Sequence, residues 1–186
     1  LYRLAAAGVR VPRPHAYAHG VVLMELLTDA DGNAAPRLND VVLPEALALE
    51  YHATMLREIV RMLCAGVIHG DLSEYNVLVT GDGPVIIDLP QAIDAAANNN
   101  AAGMLKRDVH NITAYFSRFA PALASTRYGD EIWSLYQSAA LHPDDALTGR
   151  FTADARPADV AAVLQEIEAV RTEHEARERY KALLRE

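Results

Sequence analysis

The sequence is short of most features that would assign a protein to a class at once. It has one cysteine, Cys64, in 186 residues. A disulfide framework within the chain is therefore excluded, and a reducing compartment fits. Cys64 falls in an apolar helical pattern, which predicts a buried structural thiol rather than a nucleophile. No apolar stretch approaches the ~20 residues a membrane-spanning helix needs, and no secretory signal is visible, so the cytoplasm is the expected location. Basic residues are in deficit. The 17 Lys and Arg against 25 Asp and Glu leave a net charge of −8, which argues against a broad nucleic-acid-binding surface. Aromatic residues make up only 6% of the chain, and Ala fills much of a hydrophobic share of 51%. Internal repeats are absent. The length still suffices for one domain with a sizeable core.

What is present is concentrated in residues 67–91, VIHGDLSEYNVLVTGDGPVIIDLPQ. Two short apolar runs, Val77-Leu78-Val79 and Val85-Ile86-Ile87, flank the turn Thr80-Gly81-Asp82-Gly83-Pro84 and predict a β-hairpin. His69, Asp71, Ser73, Glu74 and Asn76 crowd the approach to the first strand, and Asp88 follows the second. A tight hairpin brings Asn76 close to Asp88. Two oxygen-bearing side chains then face one small volume, which suits a hard cation such as Mg²⁺. The spacing is H-x-D-L-x-x-x-N followed by an Asp after an apolar strand, the pattern of a protein-kinase catalytic loop and its metal-binding Asp. Phosphoryl transfer asks a protein mainly for positioning and charge neutralisation. Asp71 would orient the nucleophile, while Asn76 and Asp88 would hold Mg²⁺ against the phosphates.

These residues closely resemble the RIO family of atypical protein kinases and ATPases. Ordinary protein kinases carry Phe-Gly after the metal Asp, where this chain has Leu89-Pro90-Gln91, and Lys two residues after the catalytic Asp, where it has Ser73. Both departures match the RIO pattern. The resemblance implies an α+β, protein-kinase-like fold: a mainly helical C-lobe with small β-hairpins and a truncated N-lobe. It implies a single domain over residues 1–186, with 1–27 as N-lobe remnant and hinge and 28–186 as C-lobe. ATP and Mg²⁺ are the implied cofactors. Met24 would be the gatekeeper, the backbone of Glu25 and Leu27 would hold adenine, Leu78 and Ile87 would floor the adenine pocket, and Ser73 would contact the nucleotide. Asp88 has two implied roles, as a metal ligand and as a catalytic nucleophile that forms an acyl phosphate. A protein substrate is implied, and a ribosomal particle by analogy only.

Two other readings stand beside this one. The aminoglycoside and choline phosphotransferases share His-Gly-Asp-Leu and a later Ile-Asp, but usually read His-Pro-Gly-Asn where this chain has Ser73-Glu74-Tyr75-Asn76. A catalytically dead binding module is the other. Nothing before Leu1 supplies a Gly-rich phosphate loop, its strand Lys or the acidic partner of that Lys, so the sequence is expected to be incomplete and inactive alone.

The remaining elements follow from pattern. Residues 1–7 favour a helix ended by Gly8, and 9–14, with two prolines, must be extended. Residues 15–20 and 21–27 read as strand, turn and a strongly apolar strand, and 29–40 as a loop. Residues 44–63 form a long helix with Leu47, Tyr51, Met55, Ile59 and Leu63 in one stripe. His52 on it reads as a surface or packed histidine. Residues 92–103 are expected to be loop, with Asn98-Asn99-Asn100 a surface turn. A helix then opens at Lys106 with Asp108 as its N-cap and Val109, Ile112, Tyr115, Phe116 and Phe119 as its apolar face. The resemblance gives Asp108 a second role, bracing the catalytic loop. One more helix is expected within 122–141, a loop at 142–156, and a long helix over 157–186.

Overall fold

The computed structural model describes residues 1–152; the helix expected over 157–186 lies outside them. Mixed helix and small antiparallel strands, the coarse α+β class, are what the chain forms. Its elements are α1 (Tyr2–Ala6), β1 (Pro14–Ala18), β2 (Val21–Met24), α2 (Glu45–Cys64), β3 (Val67–Ile68), β4 (Val77–Thr80), β5 (Gly83–Ile86), β6 (Ile93–Asp94), α3 (Ala101–Ser117) and α4 (Tyr128–Gln137), with 3-10 turns at Leu38–Asp40, Glu74–Asn76 and Pro121–Ser125. The strands make three separate two-stranded antiparallel ribbons, β1–β2, β3–β6 and β4–β5.

The core forms where α2 and α3 pack together. Met55, Ile59 and Leu63 of the expected α2 stripe are buried, while Leu47 and Tyr51 are half-buried against it. Ala48, Leu56, Val60 and Met62 are buried as well, so α2 is covered over more than one stripe. From α3 come Leu105, Val109, Ile112 and Phe116, and from α4 Ile132. Each large side chain so buried contributes on the order of 1.5–3 kcal/mol. His52 is a packed histidine, buried beside Thr113.

The β4–β5 hairpin has one face in this core. Val77 pairs with Ile86 in the register, and both are fully buried. Leu78 pairs with Val85 on the opposite face. On its other edge β4 bridges from Leu78 to Arg37, and the Val79 N–H donates to Pro36 O at 2.9 Å. Beside β5, the Ile86 N–H donates to Arg10 O at 2.9 Å. The Arg10 guanidinium reaches Pro84 O at 3.0 Å and Asp82 O at 2.8 Å, and the Arg10 backbone N–H donates to the buried Glu58 carboxylate at 2.8 Å. The extended segment after α1 thus fastens the hairpin turn to α2.

Three expectations are corrected. The helix expected from Lys106 starts at Ala101, so Asp108 is not its N-cap but lies well inside it, 1% exposed. The Ala-rich sequence after Asn100 is good helix former, and extends the helix into what composition marked as loop. Cys64 is exposed, not buried, its Sγ 3.8 Å from Leu141 O. It is one residue past buried Leu63, and one residue on a helix turns ~100° away from the packed stripe. The strand expected over 21–27 ends at Met24, and its apolar residues are exposed, Val21 by 67% and Met24 by 48%. It pairs only with β1 through a two-residue turn, His19-Gly20, both at positive φ. Among the described residues no helix is long and apolar enough to cross a membrane.

Candidate active site

The segment between β3 and β4 is irregular apart from the turn Glu74–Asn76, so its shape depends on side chains. His69 is buried and links two parts of it. Its Nε2 lies 2.9 Å from Ile87 O, and its Nδ1 is 3.3 Å from the Asp71 N–H. A carbonyl on one nitrogen and an N–H on the other fit an arrangement in which Nε2–H donates to Ile87 and Nδ1 accepts from Asp71. Asn76 Nδ2 donates to Asp71 O at 2.8 Å. The Ile87 N–H donates to Asn76 O at 3.0 Å, which continues the β4–β5 ladder by one pair. Asn76 therefore stands opposite Ile87, and Asp88 is the next residue out of the ladder.

Gly70 is required where it is. Its φ is +82°, and a Cβ there would lie 2.5 Å from Gln91 O. Asp88 also has a left-handed backbone, φ +64°, which costs a non-Gly residue on the order of 1 kcal/mol. Strain of that kind persists where neighbours over-determine the conformation, here the Ile87 bonds to His69 and Asn76.

Beneath the loop, α3 presents Arg107, Asp108 and Asn111. Asp108 accepts the Gly70 N–H at 2.7 Å and the Leu72 N–H at 3.0 Å. Arg107 donates to Gly70 O, and Asn111 Nδ2 donates to Leu72 O at 3.1 Å. Burial pushes the Asp108 carboxyl up; the two N–H groups, His69 and the Arg107 guanidinium work against that. The bracing expected of Asp108 is what its carboxylate does. Arg107 and Asn111 escaped the sequence reading. The signal was in Arg107-Asp108-Val109-His110-Asn111, where Asn111 is the i+4 neighbour of Arg107 and the i+3 neighbour of Asp108 on the helix surface.

The expected site residues divide as follows. Asp71 and Asp88 are exposed, and neither carboxylate meets a hydrogen-bond or ion-pair partner among the described residues. Ser73 is half-buried and opens the turn Glu74–Asn76. Leu78 and Ile87 are half-buried on one face of the hairpin, the face opposite Val77 and Ile86. A cleft of about 460 Å³ is lined by Glu25, Leu26 and Leu27 on one side and Thr80 and Val85 on the other. Met24, Ser73, Leu78 and Ile87 do not line it. Among the described residues the Glu25 carbonyl and the Leu27 N–H enter no backbone hydrogen bond outside the strands, whereas Glu25 N–H donates to Arg13 O and Leu27 O accepts from Ala35. No cluster of three or more His, Cys, Asp or Glu suited to a metal occurs among the described residues; Asn76 and Asp88 are an amide and a carboxylate.

The RIO domain model matches residues 1–128, more than half of the sequence. The chain belongs to the RIO domain family. Among relatives, the RIO-type serine/threonine-protein kinase Rio1 of Haloferax volcanii is 40% identical over 119 residues, covering 63% of this chain and 39% of that protein. Serine/threonine-protein kinase RIO1 of Homo sapiens is 32% identical over 128 residues, 68% of this chain and 22% of that protein. Serine/threonine-protein kinase rio2 of Schizosaccharomyces pombe is 33% identical over 112 residues, 60% of this chain and 30% of that protein. This RIO domain thus spans well under half the length of the curated relatives it matches.

Proposed function

We propose that this RIO domain carries the phosphoryl-transfer centre of a serine/threonine protein kinase or ATPase that uses Mg-ATP. The observation that carries the reading is the tie between the loop of Asp71 and the end of β5, made by His69 and Asn76, with Asp71 and Asp88 left exposed on either side of it. Naming of the relatives as serine/threonine-protein kinases supports the same reaction.

In this reading Asp71 orients the acceptor hydroxyl, or an attacking water, and receives its proton on a carboxylate oxygen. Asn76 and Asp88 are the metal ligands. The donor chemistry fits a hard divalent cation: the Asn76 nitrogen is engaged by Asp71 O, which leaves its amide oxygen available, and the Asp88 carboxylate is unpaired among the described residues. Mg²⁺, when bound, supplies charge neutralisation at the phosphates. The unengaged Glu25 carbonyl and Leu27 N–H form an acceptor–donor pair suited to an adenine edge, with Met24 as gatekeeper, Leu78 and Ile87 as floor, and Ser73 as a further nucleotide contact. The lobe boundary falls after Leu27, with 1–27 as N-lobe remnant and hinge and 28–186 as C-lobe; the separate β1–β2 ribbon supports it.

Asp88 has a second role open to it. A carboxylate oxygen attacks the γ-phosphorus, the β–γ bridging P–O bond breaks, ADP leaves, and water later cleaves the acyl phosphate. The experiment uses full-length protein with labelled ATP, quenched in acid and treated with hydroxylamine. Turnover is expected to fall at least ~100-fold in Asp71→Asn with nucleotide binding retained. Label that hydroxylamine releases, and that Asp88→Asn lacks, assigns the nucleophile to Asp88. Label that resists hydroxylamine and survives Asp88→Asn returns Asp88 to metal binding alone. Near-normal turnover in Asp71→Asn would refute the catalytic assignment.

A further inference from the structure

The backbone of Gly70, Asp71 and Leu72 lies in no strand or helix, yet all its polar groups are engaged, every one by a side chain. The N–H groups of Gly70 and Leu72 go to Asp108, and that of Asp71 to His69. The carbonyl of Gly70 accepts from Arg107, that of Asp71 from Asn76, and that of Leu72 from Asn111. Asp71 is consequently held between two peptides, each gripped on both its donor and its acceptor side. Its own carboxylate is exposed and meets no partner among the described residues. Where that carboxylate stands is therefore set by the backbone that carries it and by the side chain's own rotamer.

The grip comes from a rigid element. Arg107 and Asn111 are four residues apart on α3, so they emerge on one face about one turn from each other. Leu105, Val109, Ile112 and Phe116 anchor that helix in the core. Asp108 can satisfy only N–H groups, since an ionised carboxylate only accepts. The two carbonyls need donors, and a donor lost at either one leaves a loop carbonyl free to turn. The Gly70 carbonyl belongs to the Gly70–Asp71 peptide, whose rotation swings the Asp71 Cα and its carboxylate directly, while the Leu72 carbonyl belongs to the Leu72–Ser73 peptide, whose rotation reaches Asp71 through Leu72.

We propose that Arg107 and Asn111 are positioning residues of the reaction: by holding the Gly70 and Leu72 carbonyls they fix the place of the Asp71 carboxylate relative to the acceptor. The inference rests on the phosphoryl-transfer reading above. A catalytic group displaced by about 1 Å costs on the order of 100-fold in rate, so the effect belongs in kcat. Nucleotide affinity should be spared, because neither side chain is among the residues assigned to ATP or metal.

The test compares full-length wild type with Asn111→Leu, Arg107→Met and Arg107→Lys, reading steady-state ATP turnover and amide hydrogen exchange of Gly70, Asp71 and Leu72. In Asn111→Leu and Arg107→Met, kcat is expected to fall at least ~10-fold, with KM for ATP within about twofold of wild type, and the three amides to exchange roughly 10-fold faster. Arg107→Lys, which keeps a cationic donor, should recover most of kcat. Active wild type with variants inside twofold in kcat would overturn the inference and leave the function intact. So would kcat and KM failing together with a general loss of exchange protection across α2 and α3, since that is a merely structural role. Wild-type protein with no turnover would overturn the function, and this inference with it.

Discussion

Titration of His52 is a perturbation whose size follows from its surroundings. The imidazole is 2% exposed, and its Nε2 lies 3.0 Å from Thr113 Oγ1. The rings of Phe116 and Tyr128 stand 5.7 and 5.4 Å away, centroid to centroid. Burial lowers its pKa from 6.5 to about 4, because a charged ring there would exchange water for one hydroxyl and two aromatic neighbours. The unfolded chain keeps the ordinary value. Between the two values the unfolded state therefore binds the proton and the folded state does not. The stability concerned is intact above about pH 6.5 and is lost as pH falls toward 4. The full difference is worth about 3.4 kcal/mol, of which about 2.6 kcal/mol is reached by pH ~4.5. Asp108 acts with the opposite sign: burial raises its carboxyl, so the folded state takes up that proton before the unfolded chain does. That offset is shared by wild type and a His52 variant, and their comparison removes it. Urea unfolding of chain 1–186, followed through its single tryptophan, Trp133, should show wild type losing about 2.4 kcal/mol more than His52→Gln between pH 7 and ~4.5. Parallel losses in the two proteins would refute a neutral buried His52.

Substitutions at two further positions, Glu58 and Asp88, separate structure from chemistry. Glu58→Ala should cost about 1–3 kcal/mol in urea unfolding, because it strips the Arg10 backbone N–H and the Arg61 guanidinium of a carboxylate that is 1% exposed, whereas Glu58→Gln, which keeps an acceptor for Arg10, should cost less; equal losses would deny Arg10 its role in fastening the hairpin. At Asp88, whose φ is +64°, Gly should be more stable than Ala by about 1 kcal/mol while both lack the carboxylate, and equal melting temperatures would show that the backbone there carries no strain.

What could be read in the sequence is what neighbouring residues decide among themselves. The β4–β5 hairpin was legible because β-branched runs and a Gly-rich turn sit side by side, and α2 because its stripe recurs every fourth residue. The pairing of Asn76 with Ile87, the residue before Asp88, followed from that hairpin alone. Long-range terms set the rest. Asp108 reads as a cap by local preference, yet its carboxylate is used by Gly70 and Leu72, residues 38 and 36 positions earlier in the chain. The apolar run Val21–Met24 reads as a buried strand, and its 43–67% exposure depends on which elements pack over it, a matter outside the run itself. Cys64 shows the limit within a single helix, where apolar composition does not say which side of the stripe a residue falls on. The left-handed backbone of Asp88 has only a weak local signature, since Asp tolerates that region better than most residues but Gly is the ordinary choice there. Arg107 and Asn111 differ from ordinary surface residues of a helix: their partners are carbonyls of a loop that no strand or helix supports. A loop of that kind has to borrow its shape from elsewhere, and in this fold it is borrowed from one face of α3.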